Sequence, residues 1–283
     1  MKIIFSRKGF DSATGRVPNP IFPSGEIWSL PIPTCDEHFH SYEQITRGGQ
    51  SLGSIVHSLT GGKIAPHHYA HLDPDLSYES IPRLEGWRPI FGQAGAAETH
   101  LQRNGVSAGD LFIFYGWFRQ IERVGTKYRY VNGAPDLHVI FGWLQVEQRF
   151  SVHDRASIPL WALEHQHCLR SPERNDSIYT SCEKLSLPGI QLDKPGAGTF
   201  RRFHQALCLT CPGETRSVWR LPGWFLPRNG KSPLTYHGSE KRWSTMDEYV
   251  QLRTVGRGQE FVLDCEAYPE AIGWLTDIFT LAD

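Results

Sequence analysis

Two stretches of this chain decide its fold: Gly109-Asp-Leu-Phe-Ile-Phe-Tyr-Gly-Trp-Phe-Arg-Gln-Ile-Glu122 and Asp136-Leu-His-Val-Ile-Phe-Gly-Trp-Leu-Gln-Val-Glu147. Each is an apolar run rich in β-branched and aromatic residues, closed by a Gly-Trp pair and a glutamate. That composition favours strand over helix. Runs so nearly continuous in apolar residues belong to strands covered on both faces. Asn132-Gly133 lies between them and predicts a hairpin turn joining two paired core strands.

Outward from that centre, Met1-Lys-Ile-Ile-Phe5 reads as an opening strand, because its apolar part is too short for a secretion signal. Gly53–Leu59 and Ala94–Gln102 are predicted helices. Tyr249–Leu252 and Glu260–Leu263 are short strands, and Pro269–Phe279 is a closing helix. The segment Val17-Pro-Asn-Pro-Ile-Phe-Pro and Leu30-Pro-Ile-Pro33 excludes regular helix, since proline removes amide donors and restricts its predecessor. Its Ile21, Phe22, Trp28, Leu30 and Ile32 predict an ordered, packed loop or edge. The expectation is an α/β (mixed α+β) fold: one compact domain over residues 1–283, with a β-rich central sheet, flanking helices and long Pro/Gly-rich ordered loops.

Composition narrows the function. The 29 Lys+Arg and 30 Asp+Glu of the 283 residues leave a net charge of −1, so generic polyanion binding is excluded while a local basic pocket is not. No apolar run approaches the roughly 20 residues that span a bilayer, and a cytoplasmic, membrane-free protein is expected. Among the six cysteines only Cys208-Leu-Thr-Cys211 has metal-like spacing. No second pair completes a zinc set, so these read as semi-buried thiols. Walker, GxSxG and HExxH motifs are absent, which removes the sequence support for P-loop NTPase, serine hydrolase and zincin readings.

The densest chemistry lies in Pro66-His67-His68-Tyr-Ala-His71-Leu-Asp73-Pro-Asp75. If the chain stays extended, His71, Asp73 and Asp75 project to one side at period two. Imidazoles beside carboxylates suit Fe(II), Mn(II) or Zn(II). The competing reading of Asp73-Pro-Asp75 alone is a polar surface turn. A second cluster, Glu164-His165-Gln-His167, puts two imidazoles on one face if it is a strand. The competing reading is a pair of solvent-facing loop histidines. His237 is a further candidate ligand, although His237, His100 and His138 each, taken alone, read more often as hydrogen-bonded structural histidines, and whether His67 or His68 contributes is open. Arg7, Lys8 and Asp11 follow the first strand, where ligand-binding residues gather in α/β sheets. Arg119 could join them in orienting an anionic substrate. Trp219-Arg-Leu-Pro-Gly-Trp224 and Lys241-Arg-Trp243 could stack bases, but core packing is the more usual role of such segments.

The order of these motifs resembles a known family. Phe5-Ser-Arg-Lys-Gly-Phe-Asp-Ser12, Ser29-Leu-Pro-Ile-Pro33, His71-Leu-Asp-Pro-Asp-Leu76 and Phe91-Gly-Gln-Ala-Gly-Ala-Ala97 come first. Tyr115-Gly-Trp-Phe-Arg119, His138-Val-Ile-Phe-Gly-Trp143, Trp219-Arg-Leu-Pro222, Tyr236-His237, Arg242-Trp243 and Gly258-Gln-Glu-Phe-Val-Leu-Asp264 follow. The chain thereby resembles the nucleotide-modification-associated domain 3 family over essentially its full length. It departs at Glu164-His165-Gln-His167, where His-Pro-His is the expected pattern.

The resemblance implies a bacterial or phage-type protein linked to the modification of nucleotides or nucleic-acid bases. The residues add a metal hypothesis. His71, Asp73, Asp75, His165, His167 and His237 are candidate ligands of a divalent metal, Fe(II) favoured over Zn or Mn, with Arg7, Lys8, Asp11 and Arg119 as catalytic or orienting groups. The expected activity is oxidation of a nucleotide or base by a non-haem iron oxygenase. The alternatives are metal-assisted hydrolysis or transfer on a nucleotide, and a non-catalytic module that binds modified bases.

Overall fold

The computed structural model describes residues 1–228, 230–256 and 260–282. Two long antiparallel strands, Leu111–Val124 and Leu137–Ser151, form its spine, with Tyr115 opposite Ile140 and Phe112 opposite Leu144. On one face of the first strand, Phe112 and Phe114 lie 4.9 and 5.2 Å from the Phe91 ring. Tyr115, next along the strand, meets Trp219 at 5.1 Å. Both faces are therefore covered, which is why the run is apolar without alternation. The glycine of each Gly-Trp pair permits close backbone approach. A Cβ on Gly116 would stand 2.8 Å from the Lys8 carbonyl oxygen, and one on Gly142 would stand 2.9 Å from that of Gly198.

Seven further strands complete a nine-stranded mixed sheet. In order they run Glu260–Asp264, Lys2–Arg7, Leu111–Val124, Leu137–Ser151, Ser177–Ser181 and Ile90–Gln93, with Asn19–Ile21, Lys127–Tyr130 and Ala197–Thr199 attached alongside. The opening strand and Asn19–Ile21 are parallel to Leu111–Val124, and the other pairings in the sheet are antiparallel. The expected hairpin is altered. The first long strand turns at Gly125-Thr126 into Lys127–Tyr130, and Asn132-Gly133 lies in the connection that follows. The two core strands still pair, because their shared apolar faces set the register and not the turn.

The helices bury the stripes their periodicity predicts. Leu52–Leu59 buries Leu52, Ile55, Val56 and Leu59, and the Ser51 hydroxyl accepts from the Gly53 amide at its start. Glu270–Leu281 buries Ala271, Leu275, Ile278 and Phe279 against the large core. Gly95–Arg103 buries Glu98, which accepts from Tyr179 Oη at 2.7 Å and pairs with Arg149 at 3.0 Å. A second apolar cluster joins Phe10, Phe22, Trp28, Leu30 and Tyr42 to the helix Leu52–Leu59, so the proline-rich segment is packed as expected. A third, containing Ile90, Phe150, Ile158, Ala162 and Cys168, lies under residues 158–168. Trp219 and Trp243 are core residues, and Cys208 and Cys211 are free thiols. Among the described residues no helix is long and apolar enough to cross a membrane.

Candidate active site

Where the clusters meet, the sheet opens into a cavity of about 540 Å³. Arg7, Lys8 and Asp11 reach it from the end of the opening strand, and Gln93 from the end of Ile90–Gln93, the position where α/β sheets present ligand-binding groups. His71, Asp73 and His167 face the same cavity from two other directions.

His71 ends a short strand, Tyr69–His71, that pairs with Ile32–Thr34. The Asp73 amide then donates to the His71 carbonyl oxygen at 3.1 Å and the strand stops. This turn overrides the period-two expectation for Asp75. The backbone of Asp75 bridges to Ile90, and its buried carboxylate takes two hydrogen bonds from Arg83 at 2.5 and 2.6 Å. Burial raises its pKa despite that guanidinium. Asp75 is thus a closed ion pair apart from the His71–Asp73 cavity.

Glu164-His165-Gln-His167 is helical, not the strand anticipated. A 3-10 turn, Leu160–Glu164, leads into the short helix Gln166–Leu169, and His165 Nδ1 accepts from the His167 amide at its start. The two rings still come together, stacked at 5.5 Å, and both approach Asp73. His165 Nε2 lies 3.6 Å from Oδ1 and His167 Nε2 3.7 Å from Oδ2. The Gly92 amide donates to Asp73 Oδ1 at 2.8 Å. The His71 ring completes the group, 5.5 Å from that of His167. His165 Nε2 is buried without a hydrogen-bond partner, and its residue lines a second, smaller cavity.

Electrostatics prepares these groups to be ligands or bases. Burial alone would raise the Asp73 carboxyl, but His165, His167 and Lys8 outweigh it and hold the group well below the usual carboxylate range. Burial pushes His71 down to about 4, leaving it neutral near pH 7. The His167 Nδ1–H donates to Asp176 Oδ1 at 2.5 Å, which fixes the tautomer and leaves Nε2 toward Asp73. Asp176 is itself held by Arg170 at 2.8 Å and by the Glu173 amide at 3.1 Å. Glycine is required beneath this ring, since a Cβ on Gly92 would stand 2.3 Å from His167 Cδ2.

The cations of the cavity differ in what they already hold. Lys8 Nζ pairs with the buried Glu260 at 3.4 Å and lies over the Phe91 ring, while Arg170 is engaged by Asp176 and Glu173. Gln93 Nε2 also donates to Glu260. The Arg7 guanidinium has no ion-pair partner among the described residues. Asp11 Oδ1 accepts from the amides of Ala13 and Thr14, so this carboxylate shapes its own loop at the cavity edge.

Two other expected residues are placed elsewhere. Arg119 pairs with Asp136 at 2.7 Å on the first long strand and borders neither cavity. His237 is fully buried with both ring nitrogens engaged: Nδ1–H donates to the Thr235 carbonyl at 2.8 Å, and Nε2 accepts from the Val255 amide at 3.2 Å. His138 accepts the Trp219 indole N–H, His100 contacts Thr235, and His67 and His68 pack on each other. Sequence reasoning missed Asp176, Arg170 and Gly92. No motif marks them as site residues, and only their contacts with Asp73 and His167 in the folded chain give them a role. Among the described residues no three His, Cys, Asp or Glu side chains converge tightly enough to form a ready-made metal cage.

The model of the nucleotide modification associated domain 3 family matches residues 2–264. The chain belongs to this family. No curated protein and no solved structure matches it. Of the family motifs, Gly258 and Gln259 lie outside the described residues. The others place polar residues in several settings, among them the cavity, the closed Asp75–Arg83 pair, the buried hydrogen bonds of His138 and His237, and the Arg119–Asp136 pair.

Proposed function

We propose that this nucleotide modification associated domain is a metal-dependent enzyme acting on a nucleotide or nucleic-acid base, with His71, Asp73 and His167 as the ligands of one divalent ion. The observation that carries the reading is the arrangement around His167. A buried carboxylate holds its Nδ1–H, and its Nε2 faces the same cavity as the ionised Asp73 and the neutral His71. Two imidazoles and one carboxylate facing an open space are the donor set of Fe(II) oxygenases, so iron is favoured over zinc or manganese. A bound Fe(II) would supply oxygen activation, and a bound Zn(II) water activation for hydrolysis.

The chain's own residues supply the rest. The Gly92 amide holds Asp73 Oδ1, which leaves Oδ2 toward His167. Arg7 offers a delocalised cation, without an ion-pair partner among the described residues, suited to a phosphate, while Lys8 and Arg170 add positive potential from positions already fixed by carboxylates. Asp11 closes the loop at the mouth. The chemistry is read as oxidation of the base or sugar, with metal-assisted hydrolysis as the second reading.

The test is metal analysis of protein purified without oxygen or chelator and then loaded with Fe(II). One equivalent of iron, lost in Asp73→Ala, supports the assignment. Zinc as the resident ion moves the reaction to hydrolysis. No uptake by a folded chain overturns the metal reading in favour of a base-binding module.

A further inference from the structure

The second cavity, about 330 Å³, adjoins the first and differs from it in chemistry. Its walls include Trp87, Trp161, Phe39, Leu72 and Ile81, and its one guanidinium, Arg83, is neutralised by Asp75. Arg83 also lies 4.0 Å over the Trp87 ring, and Tyr78 meets that ring edge-on at 5.8 Å, so this indole is held in place. Gln166 lines the cavity with its Nε2 donating to the Ala70 carbonyl and its Oε1 buried without a partner. Phe39 borders both cavities.

We infer that this second cavity receives the planar base of the nucleotide, while the first receives its phosphate and the reacting atoms. The inference rests on the nucleotide reading above and names how that substrate is held. A slot walled by two indoles, with Trp87 held in place, suits an uncharged flat ring, because stacking on aromatic faces is tolerant of which base is offered. A phosphate would find no free cation there, whereas Arg7 waits in the neighbouring cavity. The unpartnered Gln166 Oε1 is an acceptor for a ring or amino N–H of the base, and leaving such an atom unpaired is what a bound base would relieve. The shared Phe39 ring puts the two halves of one nucleotide on either side of a single side chain.

The experiment is a binding titration of chelator-treated protein with each of the four nucleoside 5′-monophosphates, and with ribose 5-phosphate as a ring-free control. Wild type is expected to bind the nucleotides well above the control. Trp161→Leu should weaken nucleotide binding about ten- to a hundredfold, the range of one lost base stack, while leaving the control unchanged. Trp161→Phe should restore most of the affinity. Ile81→Trp, which fills the slot without removing a packed ring, should have the same effect as Trp161→Leu. Equal binding of ribose 5-phosphate and nucleotide, or wild-type affinity in both Trp161→Leu and Ile81→Trp, overturns the inference. Because the protein is metal-free, base binding without any later iron uptake fails the metal reading alone. Iron uptake without base binding fails this inference alone.

Discussion

His167 and His237 are both buried, and both look like ligands in the sequence, but their surroundings assign them opposite work. His237 spends both ring nitrogens on backbone groups, the Thr235 carbonyl and the Val255 amide. His167 spends one nitrogen on a buried carboxylate and keeps the other toward a cavity that already holds Asp73 and His71. A histidine's burial therefore says little about function. What matters is whether the second nitrogen is already satisfied, since a saturated imidazole has no lone pair or proton left to offer.

The largest effect expected from this contrast comes from exchanging each ring for a methyl group. His167→Ala should abolish iron uptake with the fold retained. His237→Ala should keep full stoichiometry and cost stability, about 2–4 kcal/mol for a cavity and a stranded Val255 amide. Metal analysis paired with urea unfolding checks both, and equal loss of iron in the two variants would break the comparison.

Acid sharpens the same contrast from the structural side. Burial pushes His138 down to about 3 and His237 to about 4, with nearby arginines acting in the same direction. The unfolded chain takes up these protons near pH 6.5, so their contribution to stability is complete above that pH. It is lost as pH falls toward 4 and then 3, at about 1.4 kcal/mol per pH unit for each ring. Denaturant midpoints measured between pH 7 and 4 should fall, and His138→Gln should flatten the slope. An unchanged slope in that variant would remove His138 from the account.

A smaller effect is expected from the carboxylate that orients His167. Asp176→Asn should lower iron affinity by about 10- to 100-fold while leaving the ligands in place. Isothermal titration under anaerobic conditions reads it, and wild-type affinity would mean that the packing around His167, and not this carboxylate, orients the ring. The smallest belongs to Arg119→Ala. Its pair with Asp136 is about one-third exposed and borders neither cavity, so the stability change should stay below about 1 kcal/mol with iron content unaltered.

Much of the fold was legible in local pattern. The runs at 111–124 and 137–151, the stripe of Leu52–Leu59 and the closing helix each carry a periodicity that burial then uses. The turn between the long strands was misplaced, because Asn-Gly is a local signal and an added strand, Lys127–Tyr130, takes the earlier Gly125-Thr126 turn instead. At the site, His71, Asp73 and His167 could be picked out as chemistry-bearing residues. Nothing in their spacing separated them from Asp75 and His237.

Residue type and period thus determined the strands, the helices, the family and a short list of polar candidates. Tertiary structure alone decided which of those candidates face a common space. That choice depends on contacts that strand or helix periodicity does not specify: the Gly92 amide on Asp73, Arg83 drawing Asp75 away, and the loop that returns Asp176 to His167. Hydrogen-bond valence is settled only after such contacts form, and it is the unsatisfied remainder that leaves a site.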